Sequence, residues 1–364
     1  MKDMKYLGRL LGWILLAVNL LVVGGMLFAA YSSHIDPVRH PVQSCAGLAF
    51  PVFLVLTAAF LLFWLAVCYR HAVVSLAGML CCLSAIRSYC PLNFGRDEAP
   101  EGAIKFLSYN IMGFEADHPD TPDNPNRILA YLRDSDADII CLQEYITGGR
   151  LKQSHIDKVL SKYPYKRYHR IGQGSNGLAC YSRYPIIAAR RVDYDSEFNG
   201  SVVYTIRKGQ DTLTVINNHL ESNKLTIDDR ETYVRMLKSP ESTDVKNGSR
   251  LLLGKLAEAT AIRSAQADSV ARVIERQGRR NLIVCGDFNT SSLSYTHRVI
   301  SEGLTDAFTE TGFGPGISYH KNGFYFRIDH ILTSPDLQPY RCTVDNSITN
   351  SDHYPIWCYV IRKS

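Results

Sequence analysis

The chain has 364 residues and carries 40 Lys+Arg against 35 Asp+Glu, unevenly spread. Residues 1–100 hold only 7 of the basic and 4 of the acidic residues, so residues 101–364 are nearly neutral, at a formal +2. This length excludes a single small domain, and the balance gives no electrostatic case for a dedicated nucleic-acid binder, which carries a basic excess.

The first third is apolar. Leu10 to Ala30 is a run of 21 residues interrupted only by Asn19, and Ala46 to Cys68 is a second of 23, with Pro51 near its start. At about 1.5 Å per residue, roughly 20 residues cross a ~30 Å hydrocarbon layer, so both runs suffice. Lys2, Lys5 and Arg9 ahead of the first run also suit a cleaved signal peptide, but the second run tells against that reading. Ala72 to Ile86 is a third apolar stretch, only 15 residues long, which reads as a short span stretched by Tyr89 and Cys90 in preference to an interfacial hairpin. Arg70 lies between the second and third spans, whereas Arg39 between the first two is offset by Asp36. The positive-inside rule then places the N-terminus in the cytoplasm. Three spans put the rest of the chain outside, and two would leave it inside. The expectation is an integral membrane protein, at the plasma membrane, with an extracytoplasmic C-terminal part. Residues 1–90 form the anchor of two to three helices, and 91–100 a Pro-bounded linker. One polar residue among the spans offers no transport pathway.

From residue 101 onward the pattern changes. Short β-rich runs at Ile104–Tyr109, Ile139–Leu142, Tyr165–Ile171, Leu178–Tyr181, Ser201–Arg207, Thr212–Asn217, Asn281–Cys285, Phe324–Leu332 and Tyr354–Val360 are each bounded by turn-forming residues. Helical patterns occupy Asn126–Ser135, Gln153–Lys162, Asp228–Lys238, Leu251–Arg276 and Tyr295–Glu302. Many strands lie too close in sequence for helical crossovers, which predicts mixed sheets in an α/β domain over 101–364. The long charged segment Ser222–Ile262 reads either as a lid or as a solvated insertion. Gly172 to Gly177 matches GxGxxG, but a strand follows it instead of a helix, so it is a glycine-rich hairpin and not a dinucleotide loop. Ten cysteines show no zinc-like spacing, and Cys141, Cys180 and Cys285, inside apolar runs, read as small packed hydrophobes.

The chemistry lies at the strand ends. Asn110 closes the first strand, Glu144 follows the second, and His219 ends Thr214-Val-Ile-Asn-Asn-His219. Asn281-Leu-Ile-Val-Cys-Gly-Asp-Phe-Asn289 ends in Gly-Asp-x-Asn; Asp329 opens a strand, and Ser351-Asp352-His353 precedes the last one. Any one of these is ordinary turn chemistry. Six in one domain, four of them with a carboxylate, point to a site built on one edge of a rigid scaffold. Several carboxylates gathered there repel unless a cation sits among them, and hard oxygen donors favour Mg²⁺ or Mn²⁺ over zinc.

In this order, Tyr-Asn110, Leu-Gln-Glu144, His219, Gly-Asp287-Phe-Asn289, Ile-Asp329-His and Ser-Asp352-His353 resemble the endonuclease/exonuclease/phosphatase superfamily, over about Ile104 to Val360. The helix Arg263–Arg276 with Gln266 fits the same layout. The resemblance implies a four-layer α/β sandwich, two mixed β-sheets face to face with helices outside. It also implies a divalent-metal-dependent phosphoesterase, most simply a phosphodiesterase. Asn110, Glu144 and Asp352 would hold the metal, and Asp287 or His353 would be the base. Asn289 would bind developing charge, Asp329 would orient His353, and His219 would lie by the leaving group. Tyr145-Ile146 and His330 depart from the abasic-site nucleases. The expected substrate is a phosphoester of lipid, nucleotide or nucleic-acid class, and no protein partner is implied. The alternatives are a membrane-anchored nuclease acting on DNA or RNA, and an inactive binding protein of the same fold.

Overall fold

The structure, a computed structural model, describes residues 2–95, 98–172, 176–223, 228–229, 243–321 and 323–363. Most of the expected helix Asp228–Lys238, much of the 222–262 segment and the centre of the 172–177 glycine motif lie outside them.

Helices α1 (Lys2–Tyr31) and α2 (Phe50–Val67) fall in two segments, Tyr6–His34 and Pro41–Val67, that are long and apolar enough to cross a membrane. Helices α3 (Tyr69–Cys81) and α4 (Leu83–Tyr89) are bent by 63° and make a third such segment if taken as one broken span. The three run up, down and up. At one end His71 packs on Trp13 and Trp64, with ring centroids 6.2 and 4.7 Å away. At the other, the Tyr31 hydroxyl donates to the Cys81 carbonyl at 2.8 Å. Asn19 is buried and its Oδ1 accepts the Ser75 hydroxyl at 3.0 Å, a polar contact between helices.

The C-terminal part holds two six-stranded sheets. The first, in the order β11-β12-β1-β2-β4-β3, uses β1 (Ile104–Asn110), β2 (Ile139–Gln143), β3 (Tyr165–Arg170), β4 (Gly177–Ser182), β11 (Leu337–Val344) and β12 (Ile356–Arg362). The second, in the order β5-β6-β7-β8-β10-β9, uses β5 (Ile186–Arg191), β6 (Gly200–Lys208), β7 (Asp211–His219), β8 (Leu282–Asp287), β9 (Thr305–Asp306) and β10 (Asp329–Thr333). Only the β1–β2 and β7–β8 pairs are parallel, so both sheets are mixed. Their facing sides share one core, with Phe106, Cys141, Cys180, Val215, Cys285 and Ile356 all buried. Cys141 faces Cys180 across β2 and β4, and all ten cysteines are free.

Helices α5 (Arg127–Asp134) and α6 (Gln153–Val159) cover the outer face of the first sheet through Ile128, Leu129, Leu132 and Ile156. Helix α7 (Thr243–Arg276) covers the second through Ala267, Val270, Val273 and Ile274, a spacing of three and four residues that forms one helical stripe. Helices α8 (Tyr295–Ser301) and α9 (Ala307–Thr311) complete the layer. The four-layer α/β sandwich implied by the resemblance is the observed fold.

Three strands were not legible in the sequence. β5 and β11 lie at sheet edges, where an exposed arginine-rich strand and one with Pro339 in its middle are tolerated; β9 is two residues long. The run expected from Phe324 enters the sheet only at Asp329. β3 and β4 pair antiparallel up to Arg170 and Gly177, which brackets the glycine motif as a hairpin.

The helical part rests directly on the sandwich. Arg298 Nε donates to the Ser33 carbonyl at 2.9 Å, and Ser292 Oγ to the Ser88 carbonyl at 3.1 Å. A Cβ on Gly47 would stand 2.4 Å from the Leu293 carbonyl oxygen, so the α1–α2 connection approaches the sandwich backbone as only glycine allows. Leu293 in turn is buried among Met26, Ala29, Phe50 and Cys82.

Candidate active site

Strand register gathers the polar ends. In the second sheet, parallel pairing sets His219 beside Asp287, and antiparallel pairing sets Asp329 on its other side. In the first sheet Asn110 pairs with Gln143, which puts Glu144 one residue beyond. Both rows end at the same edge of the sandwich. The glycine of Gly-Asp-x-Asn has a backbone reason. Gly286 has φ +124°, and a Cβ there would lie 2.0 Å from the Asn218 carbonyl oxygen, so a side chain would push β8 off β7. Glu144 and Asn289 both have left-handed backbone, φ 49° and 52°. For Asn this is tolerated; for Glu it costs roughly 1–2 kcal/mol, strain of a kind that clusters at functional sites.

Asp287 is the hub. Its Oδ2 lies 3.0 Å from Asn110 Nδ2, 3.6 Å from His353 Nε2 and 3.8 Å from His219 Nε2. Its Oδ1 accepts the Asn289 backbone N–H at 2.8 Å, and the Asn289 amide donates to the Leu220 carbonyl at 3.0 Å. Glu144 Oε1 stands 3.2 Å from Asn110 Nδ2 and 3.7 Å from His219 Nε2. His353 Nδ1 sits 2.8 Å from Asp329 Oδ2. Asp352, half-buried, acts on Glu144 through its charge.

The sequence places Asn110 with the metal ligands. In the structure it turns its NH₂ toward both Glu144 and Asp287, while its Oδ1 accepts the Met112 backbone N–H at 3.2 Å. Its amide nitrogen thus bridges the two carboxylates.

Electrostatics separate the roles of the titratable groups. Burial pushes Asp287 up, only partly offset by His353, to about 6. Burial opposes charge on His353, yet Asp329 and Asp287 together outweigh it and raise the imidazole well above its usual value. His219 is held low, chiefly by burial, and is neutral. Glu144 is raised by burial and then by Asp352. Those two carboxylates crowd each other with hard oxygen donors, a set that fits a divalent cation. Asp287, Asp329 and His353 also stand close enough to share an ion.

Several supporting residues were not singled out from the sequence. Gln143 Nε2 donates to Asn217 Oδ1 at 2.6 Å and to Ser108 Oγ at 3.1 Å, tying the sheets together beneath the site. Ser351 Oγ donates to the Asn110 carbonyl at 2.7 Å, and the Ser318 hydroxyl accepts the Asp329 N–H at 3.1 Å. Arg263, buried on α7, donates to the Asn289 carbonyl and to Asn223 Oδ1. The available signal was polar residues inside buried strands, such as Asn217 and Asn218. Nothing local marks Arg263, because its partners lie 26 and 40 positions away.

A second buried group lies behind β10. Asp306 caps α9 through Phe308 N and Thr309 N, both at 2.9 Å, and meets His297 Nε2 at 3.0 Å. His330 Nε2 donates to the Thr290 carbonyl at 3.0 Å, and burial keeps that ring neutral, well below the usual imidazole value. Burial opposes the charge on Asp306, but Arg327 and His297 hold the carboxylate well below its ordinary range.

The comparisons with known proteins agree with this geometry. Residues 12–89 match a domain of unknown function. No curated protein matches the chain. Among solved structures, the human Nocturnin catalytic domain with bound sulfate anion superposes with a TM-score of 0.50 at 16% identity, covering 74% of this chain and 98% of that one. The endonuclease/exonuclease/phosphatase from Beutenbergia cavernae DSM 12333 gives 0.49 at 16% identity, covering 71% and 72%. A humanized D. rerio TDP2 gives 0.48 at 15%, covering 71% and 99%. At these identities the Nocturnin likeness speaks for the fold alone. The family model for the Endonuclease/Exonuclease/phosphatase family, whose members are hydrolases acting on phosphoester bonds, matches residues 107–353, and over that span, more than half its length, the chain belongs to this family.

Proposed function

We propose that the chain is a membrane-tethered, divalent-metal-dependent phosphodiesterase. The observation that carries this reading is the contact set of Asp287, a buried carboxylate touching Asn110, His219 and His353, with Asp329 behind the last.

In this reading a water oxygen bonds to phosphorus and its proton passes to Asp287. The opposite P–O ester bond breaks, and the departing alkoxide takes a proton from solvent. Protonated His353, held by Asp329, faces a phosphoryl oxygen and offsets its growing charge. Asn289 has a second amide proton for the same purpose. Neutral His219 donates a hydrogen bond on the leaving side. Mg²⁺ or Mn²⁺ bound by Glu144 and Asp352 would neutralise phosphoryl charge and acidify the water.

Membrane tethering has topological support. The connection after α1 and the end of α4 both touch the sandwich, at Ser33 and Ser88, while the α2–α3 turn lies at the far end of the bundle. In this reading α3 and α4 together form the third of three crossings, and the sandwich lies opposite the N-terminus. With Lys2, Lys5, Arg9 and Arg70 on the far side, the positive-inside rule puts the catalytic part outside the cytoplasm.

The test is hydrolysis of bis(p-nitrophenyl) phosphate by the purified full chain with Mg²⁺ or Mn²⁺. Turnover that disappears in Asp287→Asn supports the reading. An absence of turnover in the wild-type chain with either metal defeats it and favours a binding protein of the same fold.

A further inference from the structure

Outside the catalytic cluster, a cavity of about 190 Å³ lies between the helical part and the sandwich. One wall comes from Cys45, Gly47 and Leu48, in the α1–α2 connection just ahead of Phe50, where α2 begins. Leu256 on α7 and Leu293, Phe324, Phe326 and Ile328 of the sandwich supply the apolar part of the remainder. Asn289 and Tyr319 line it too. The Tyr319 ring meets the His353 ring edge-on at 5.1 Å, so the cavity opens beside the catalytic imidazole.

Two contacts make this a built interface. Cys45 Sγ lies 3.5 Å from Thr260 Oγ1 on α7. Leu293, a wall of the cavity, is at the same time buried among Met26, Ala29 and Phe50 of the helical bundle. The cavity is thus continuous with the apolar helices on one side and with the phosphoester site on the other. Asn289 and Tyr319 mark its catalytic end, Leu48 and Leu293 border the bundle, and Thr260 and Arg263 of α7 add polar groups between them. A molecule matching both ends carries a phosphate and a hydrocarbon chain.

We propose that this cavity receives the first part of the substrate's hydrocarbon chain, which makes the substrate class a lipid phosphodiester reached from the bilayer. The proposal rests on the phosphodiesterase reading above. At about 30 Å³ for a water-sized group, the volume suits roughly six chain carbons. The chain's remainder stays in the hydrocarbon layer, since Leu48 is two residues from the start of α2. Tethering then serves the chemistry directly, because the membrane-embedded part supplies a wall of the substrate site.

The experiment compares methyl, octyl and dodecyl p-nitrophenyl phosphate, and p-nitrophenyl thymidine phosphate as the nucleotide arm, using the full chain in detergent micelles. Expected is a rise of at least about tenfold in kcat/KM from methyl to octyl, with little further gain at dodecyl. Leu256→Trp fills the cavity and should remove most of that gain while leaving methyl-ester turnover within about threefold, which also reports that the variant is folded. Leu256→Met should keep the gain. Micelle partitioning affects all three proteins alike, so the comparison isolates the cavity. A chain-length gain that survives Leu256→Trp, or a thymidine ester preferred over octyl, overturns the proposal and leaves the hydrolase reading standing. No turnover of any ester overturns both.

Discussion

His353 Nδ1 lies 2.8 Å from Asp329 Oδ2, and the same ring presents Nε2 to Asp287 at 3.6 Å. One imidazole is therefore shared between two buried carboxylates that are themselves register partners on β8 and β10. That arrangement makes His353 a fixed cation and leaves Asp287 as the group able to take a proton.

Removing either member should be severe. Asp287→Ala and His353→Ala are each expected to lower kcat at least about a hundredfold, the scale of lost acid–base or electrostatic catalysis. Circular dichroism and thermal melts should show the fold retained. Near-wild-type turnover in either variant would remove the assignment.

Asp329 acts through His353, so its variant should change a pH profile as well as a rate. A lone Asp329→Asn removes a negative charge that raises His353, and the imidazole then loses its proton at lower pH. The alkaline limb of kcat/KM is expected to move down by about one pH unit or more. A uniform loss of rate with no shift would indicate a purely structural role.

Metal dependence should follow the Glu144–Asp352 pair. Chelation is expected to abolish turnover, and Mg²⁺ or Mn²⁺ to restore it. Glu144→Gln should raise the metal concentration needed for half-maximal rate at least about tenfold, as expected when a carboxylate ligand loses its charge. An unchanged metal titration would move the ion elsewhere.

Stability should depend on pH through His330. Its folded pKa is well below 6.5 because burial disfavours the charged ring. Above the unfolded pKa, near 6.5, both states are neutral and nothing is lost. As pH falls below it the unfolded chain binds a proton that the folded chain refuses, and stability drops by up to about 1.4 kcal/mol per pH unit. Thermal unfolding between pH 7.5 and 5 should show that loss, and His330→Gln should flatten the slope. An equal slope in both would assign the effect to other groups.

The topology has a direct test. If the proposed three crossings separate them, tags at the two termini should be accessible from opposite faces of sealed vesicles. Accessibility from the same face would mean that α3 and α4 together do not span.

The residues of the site were readable because motif chemistry is local. Gly-Asp-x-Asn needs a glycine where β7 and β8 approach, and Gly286 shows why. Ser351-Asp352-His353 keeps its serine because that hydroxyl ties the loop to Asn110. β5 and β11 escaped notice because edge strands tolerate the arginines and the proline that mask a β pattern.

The sequence by itself determined where the apolar segments lie and which polar groups close the strands, since motif spacing and hydrophobic period are properties of neighbouring residues; the four layers came from the family resemblance that those motifs carry. Only the tertiary structure decided that Asn110 bridges Glu144 and Asp287, that Arg263 holds Asn289, and that Leu48 of the helical part shares a cavity with Tyr319 beside His353. Those relations join residues far apart in the chain, and their distances and orientations are set by sheet register and by how the helices rest on the sandwich, which no local pattern records.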